Sequence, residues 1–241
     1  IEAGVRSHNE NDPWPEEKTR VAIAQIARWH YAPTAQAFAN LVAEGVPEAH
    51  IRVTGNTVVS ALRRYAPEVR PVATPQPVVL VTLHRREIQQ ESTANTLNGA
   101  VRLAALQWPN VRFIWPLHPA MRPLVKRFRE PSNLRVCEPL PYREMVALLA
   151  ESLGVLTDSG GLVEEAATLG IPTAILRYAN DRPEACEAGI ARLFEPTPSG
   201  ARLAVGVLVA QLIPRVPSSV FGDGKAAQRI AAHLAGVLAQ G

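Results

Sequence analysis

Cysteine is scarce: Cys137 and Cys186 are the only two in 241 residues, and neither sits in a CxxC pair. Two thiols cannot build a disulfide framework, which fits a reducing, cytoplasmic compartment. Lysine is nearly as rare. Lys18, Lys126 and Lys225 are three of 25 basic residues, a bias we read as codon usage rather than chemistry. The arginines are scattered, and the net charge is only +3 with a pI near 9.1. Without a basic block, nucleic acid is not the natural partner. No apolar run reaches the ~18 residues that a spanning helix needs, so no membrane is expected either. Neither GxGxxG nor GxxxxGK[ST] occurs, which leaves a dinucleotide fingerprint and a P-loop unsupported. Internal repeats and low-complexity tracts are also missing. What is present suffices for a folded core: 47% of the residues are hydrophobic and 20% charged. The length accommodates one large domain or two small ones.

Short apolar runs alternate with stretches of helical period, the pattern of a parallel α/β protein. Ile1–Ala3 reads as the tail of a strand, followed by a helix over Pro15–Arg28. That helix has an apolar side of Val21, Ile23, Ala24, Ile26 and Ala27. Strand Trp29–Ala32, helix Ala35–Glu44, strand Ile51–Thr54 and helix Thr57–Tyr65 complete a first region, residues 1–66. Four prolines (Pro67, Pro71, Pro75, Pro77) mark 67–77 as a linker. The alternation restarts with strand Val78–Thr82 and runs through strands Val111–Trp115, Leu134–Cys137, Gly154–Thr157 and Thr173–Leu176. Their helices cover Ser92–Leu106, Met121–Arg129, Tyr142–Ala150, Leu162–Leu169 and about Gly200–Leu212. Residues 78–214 make one complete doubly wound domain. Residues 215–241 are a tail with a helix over Lys225–Ala239 that can cross back to the first domain. The first region holds too few units for a domain of ~100–150 residues. It is expected to be the remnant of a Rossmann-like domain that begins upstream of Ile1.

Three segments carry candidate chemistry. In Thr157-Asp158-Ser159-Gly160-Gly161-Leu162-Val163-Glu164-Glu165 a strand ends, glycines follow and a helix begins. Glycines let backbone N–H groups approach a ligand, and the helix start favours an anion such as a diphosphate. Glu165, four residues after Gly161, shares its helix face and could accept hydrogen bonds from ribose hydroxyls. A tight turn with Ser159 as N-cap explains the same letters. Asp158-Ser159-Gly160-Gly161 is also found around the nucleophile of trypsin-like proteases, but those are disulfide-bearing all-β proteins, so that reading is rejected. The second segment is Ile1-Glu2-Ala3-Gly4-Val5-Arg6 with Pro13-Trp14-Pro15-Glu16-Glu17 and Arg20. Glu16 and Arg20 stand four apart and could act together, although a surface pair of this kind is common. In the third, Thr82-Leu83-His84-Arg85-Arg86-Glu87, an imidazole able to move a proton near neutral pH stands beside two phosphate-holding forks.

In order, I-E-A-G-V-R, P-W-P-E-E-K-T-R, A-P-T, V-T-G-N-T-V, H-R-R-E, T-D-S-G-G-L-V-E-E-A, the G-I-P and L-R-Y-A-N-D-R-P-E strings, and F-G-D-G-K-A run through nearly the whole chain. In this the sequence resembles the non-hydrolysing UDP-N-acetylglucosamine 2-epimerases. The resemblance implies a GT-B fold of two Rossmann-like domains. It implies that Glu2, Glu16 and His84 are catalytic and that Arg20 contacts substrate. Ser159, Gly160 and Gly161 would bind the diphosphate, Glu165 the ribose, and Arg182 another part of the nucleotide sugar. The implied reaction interconverts UDP-GlcNAc and UDP-ManNAc: the C2 proton is lost, UDP leaves from C1 to give 2-acetamidoglucal, and both return with C2 inverted. It requires no cofactor and no metal, and the implied assembly is a homodimer.

Some positions depart from the family pattern. Its catalytic Asp would lie upstream of Ile1, so residues 1–241 alone are expected to bind UDP weakly and not to epimerise. The segment Leu117-His118-Pro119-Ala120 is two residues short, which leaves His118 out of the implied contacts. Asn180-Asp181 stands where Thr-Glu is usual, and Phe221 replaces Tyr. Two other functions share part of these features: a GT-B glycosyltransferase, which would not need Glu2, Glu16 and His84 together, and a non-catalytic nucleotide-sugar-binding fragment.

Overall fold

Apolar four- and five-residue runs with helices between them fold as the alternation demands. The structure, a computed structural model, describes residues 1–65, 76–84, 91–125 and 130–239. Most of the expected linker, together with Arg85, Arg86, Glu87 and residues 126–129 of the expected helix Met121–Arg129, lies outside them. In chain order the elements are α1 (Glu16–Ile26), β1 (His30–Ala32), α2 (Ala35–Ala43), β2 (Ile51–Val53), α3 (Thr57–Tyr65), β3 (Val78–Thr82) and α4 (Glu91–Gln107). There follow β4 (Arg112–Pro116), α5 (Arg122–Val125), β5 (Leu134–Cys137), α6 (Tyr142–Glu151), β6 (Gly154–Thr157) and α7 (Gly160–Leu169). The last are β7 (Thr173–Leu176), α8 (Pro183–Glu187), β8 (Ala191–Phe194), α9 (Pro198–Val209) and α10 (Ala226–Leu238). No helix among the described residues is long and apolar enough to cross a membrane.

The chain divides into two units: unit 1 holds Ile1–Arg64, Ala179–Glu184 and Ser219–Gly241, and unit 2 holds Tyr65–Tyr178 and Ala185–Ser218. The expected continuous range 78–214 is therefore interrupted, because 179–184 belong to unit 1.

Unit 2 is a six-stranded sheet in the order β5-β4-β3-β6-β7-β8, parallel throughout. Strands β3, β6 and β7 are buried along their whole length, as parallel strands covered on both faces must be. Phe113, Trp115, Leu97, Val205 and Leu208 fill the core between sheet and helices. Chain order reverses between β3 and β6. At such a point the connections leave on opposite faces and open a crevice at the strands' C-terminal ends, where ligands of open α/β sheets bind.

Unit 1 has a two-stranded parallel sheet, Tyr31 opposite Arg52, with α2 packed on it through Ala37 and Leu41. Ile1–Ala3 is not a strand, contrary to the sequence expectation. Ala3 makes a single ladder-like bond, its N–H to the Tyr31 carbonyl at 3.0 Å. Glu2 next to it has φ +60°, a left-handed conformation that ends strand geometry. The expected apolar side of α1 is also not buried: Ala24 is, but Ile23 and Ile26 are 53% and 84% exposed. Residues Phe221–Gly224 seat α10. Asn56 N–H donates to the Phe221 carbonyl (2.8 Å), and a Cβ on Gly55 would stand 3.2 Å from the Gly222 Cα, so the two glycines permit this approach.

Candidate functional site

At the β3/β6 reversal lies a cavity of about 380 Å³. His84, His118, Tyr142, Ser159, Gly161 and Glu165 line it. The end of β6 builds its floor: Thr157 Oγ1 shares a 2.6 Å hydrogen bond with Thr82 Oγ1 and accepts from the Ser159 N–H at 3.0 Å. Ser159 then caps α7, its Oγ accepting from the Leu162 N–H at 3.5 Å. A Cβ added to Gly161 would meet no atom within 4 Å. Packing therefore does not demand this glycine, and the space above the first turn of α7 stays open where the helix amides favour an anion.

His84 is held on two sides. Its backbone N–H donates to Asp158 Oδ2 (2.7 Å), and its Nδ1 lies 3.1 Å from Asp158 Oδ1. Asp158 is fully buried, and these two contacts fix the orientation of the ring. The His118 ring stacks on that of His84, with centroids 5.4 Å apart at 27°. His118 thus lines the same cavity despite the shortened segment around it.

Glu165 is 8% exposed, and its Oε1 accepts from the Tyr142 hydroxyl at 2.8 Å. Burial raises the Glu165 pKa, with the Tyr142 hydrogen bond opposing it, and burial and this carboxylate both raise that of Tyr142. A carboxyl whose pKa is higher folded than unfolded stabilises the fold below its unfolded pKa and loses that contribution as pH rises through the folded value. At neutral pH the charge therefore costs stability. Glu165→Gln is expected to raise the melting temperature at pH 7.5 by about 2–4 °C, the shift for roughly 1 kcal/mol in a chain of this size. The gain should vanish near pH 4. Calorimetric melts at the two pH values check this.

Unit 1 holds a second constellation. Arg182, 5% exposed, donates from Nη2 to Glu2 Oε1 (2.6 Å), and its Nη1 lies 3.1 Å from Asp181 Oδ2. Asp181 Oδ2 also accepts from Arg20 Nη1 at 3.1 Å, and Arg20 stands 3.7 Å from Glu17 Oε2. Two arginines thus share one buried carboxylate. Glu17, also buried, accepts the N–H groups of Ser7 (3.0 Å) and His8 (3.1 Å) and so orders the loop before α1. Glu16 is exposed, and among the described residues Arg20 pairs with Asp181 and Glu17.

Of the residues singled out from sequence, unit 2 brings together His84, Ser159, Gly160, Gly161 and Glu165, whereas unit 1 joins Glu2, Arg20 and Arg182 and leaves Glu16 outside the network. Sequence reasoning missed Asp158, Asp181 and Tyr142 as partners. Asp158 could have been found from its place at a strand's C-terminal end. Asp181, which stands 161 residues from Arg20, leaves no local signal. Among the described residues no cluster of His, Cys, Asp and Glu could hold a metal ion.

The chain matches the family described as UDP-N-acetylglucosamine 2-epimerase over residues 1–235. A UDP-N-acetylglucosamine 2-epimerase of Neisseria meningitidis is 36% identical over 209 residues, covering 80% of this chain and 56% of the relative. One from Salmonella borreze is 35% identical over 252 residues, with 95% of this chain and 66% of the relative covered. The chain thus spans between about half and two thirds of the length of these relatives. The crystal structure of the Neisseria meningitidis UDP-GlcNAc 2-epimerase bound to UDP-GlcNAc superposes with a TM-score of 0.87 at 31% identity, covering 97% of this chain and 68% of that one. The α/β architecture is that of these GT-B-type epimerases. A family match over nearly the whole length, joined to a strand-order reversal that carries the glycine turn, leads to one statement: the chain belongs to the UDP-N-acetylglucosamine 2-epimerase family.

Proposed function

We propose that the chain takes part in the C2 epimerisation of UDP-N-acetylglucosamine to UDP-N-acetylmannosamine. The observation that carries this reading is the open start of α7, with Gly161 and Glu165 lining one cavity. The diphosphate lies on the amides of Ser159, Gly160 and Gly161. The ribose hydroxyls take over the Glu165 hydrogen bond that Tyr142 supplies in the free protein. The relatives' names, and the bound UDP-GlcNAc of the Neisseria structure, favour this nucleotide sugar over others.

The C2 proton adjoins no carbonyl and is a poor acid, so its loss must be coupled to departure of a good leaving group. A positioned base takes the proton, the C–H pair forms the C1–C2 double bond, and the C1–O pair leaves with UDP. Return delivers a proton to the other face of C2 and the UDP oxygen to C1. His84, oriented by Asp158, and Glu2 and Glu16 form the acid–base set, while Arg20 and Arg182 bear on substrate charge. Amide donors at a helix start offset the charge that develops on UDP.

The test is incubation with UDP-GlcNAc in D₂O, without any acceptor, using the sequence extended to its relatives' length. Deuterium at C2 of both epimers is expected. Turnover that occurs only with an added sugar acceptor, with no deuterium at C2, would assign the site to glycosyl transfer instead.

A further inference from the structure

Unit 1 contains a cavity of about 530 Å³ that the epimerase reading does not use. Its size lies in the range of small-molecule sites. Arg28, Trp29, Arg52, His233 and Gly236 line it, and no carboxylate does. Neither guanidinium has an acidic partner among the described residues.

Each donor is held in place by its own neighbours. The Arg28 guanidinium lies 5.5 Å from the centroid of the Trp29 ring, a cation–π arrangement that restrains a long side chain. Arg52 donates from Nη1 to the carbonyls of Ala49 (3.0 Å) and Ile51 (2.9 Å), which fixes its fork and leaves Nε and Nη2 as donors. His233 Nδ1 lies 2.9 Å from the Tyr31 hydroxyl, and Trp29 packs edge-on against the ring at 4.7 Å. Tyr31 is buried, and burial raises its pKa, so the hydroxyl stays protonated. When the hydroxyl donates to Nδ1, the imidazole N–H is on Nε2 and can serve a ligand.

Gly236 is the second observation. It stands inside α10, where glycine costs about 1 kcal/mol relative to alanine. A Cβ there would meet nothing within 4 Å, so no close packing in the described fold requires it. Its missing side chain keeps one wall of the cavity open.

We propose that this cavity binds a small phosphate ester, with Arg28 and Arg52 as the charged fork and His233 as a third donor. Guanidinium pairs match phosphate geometry bidentately, and restrained donors lose little entropy on binding.

The probe is phenyl phosphate, with phenol as the uncharged control. Binding is read at the indole N–H signal of Trp29, assigned by its loss in Trp29→Phe. A saturable shift with phenyl phosphate and none with phenol is expected. Arg28→Gln and Arg52→Gln should each weaken binding about tenfold or more, the scale of one hydrogen bond to a charged group. Gly236→Leu should abolish the shift by filling the cavity, with an unchanged or higher melting temperature. If Gly236→Leu unfolds, the two arginine variants decide. A shift that never saturates, or saturable binding that both arginine variants leave unchanged, overturns the proposal.

Discussion

Replacing Asp181 with alanine is expected to destabilise unit 1 by about 3–5 kcal/mol, the cost of removing one partner from a buried charge pair. Its Oδ2 serves Arg20 and Arg182 at 3.1 Å each, and Arg182 is nearly inaccessible to water. Without the carboxylate, Arg182 loses its 3.1 Å ion pair while keeping Glu2 and the Asp181 backbone carbonyl (3.3 Å), and Arg20 is left with the longer 3.7 Å approach to Glu17. Asp181→Asn retains an acceptor oxygen and should cost less than half as much. Urea unfolding followed by tryptophan fluorescence measures both, because Trp14 and Trp29 report on unit 1 and Trp108 and Trp115 on unit 2. Equal, small effects of the two variants would show that the network contributes little to folding.

The second large effect concerns His84. In the chain extended to its relatives' length, His84→Asn should lower turnover by about 10² or more, the contribution of a positioned proton-transfer group. UDP affinity and the melting temperature should stay close to those of the parent. The His84 side chain is 37% exposed and sits at the mouth of a cavity rather than in the core, so its loss leaves no void. Asp158→Asn should act in the same direction through the ring's orientation, shifting the pH profile of turnover rather than UDP binding. A parallel loss of stability and turnover in His84→Asn would mark the histidine as structural.

The parts of unit 2 that could be read from sequence are those whose signal is local. Strands β3, β6 and β7 are buried throughout and therefore stand out as unbroken apolar runs. The spacing of four between Gly161 and Glu165 predicts a shared helix face, and both line the cavity. β8 was not legible, since it is an edge strand that exposes Arg192 and Leu193 and so lacks an apolar run. The five-residue helix α8 is too short to show a period. In unit 1, adjacent Glu16 and Glu17 look interchangeable in sequence, yet one faces solvent and the other caps a loop, a difference that rests on Ser7 and His8. Asp181 was legible only as a departure from the family string. Its role comes from a contact that folding creates between distant parts of the chain.

The most direct test of the central claim, that the cavity at the β3/β6 reversal is a UDP site, is calorimetric titration of the chain with UDP, before and after Glu165→Ala. Removing the carboxylate leaves ribose hydroxyls unpaired, a loss of roughly 1–3 kcal/mol. UDP affinity should therefore fall by about ten- to a hundredfold, while the melting temperature does not fall. An unchanged UDP affinity in Glu165→Ala would contradict the account.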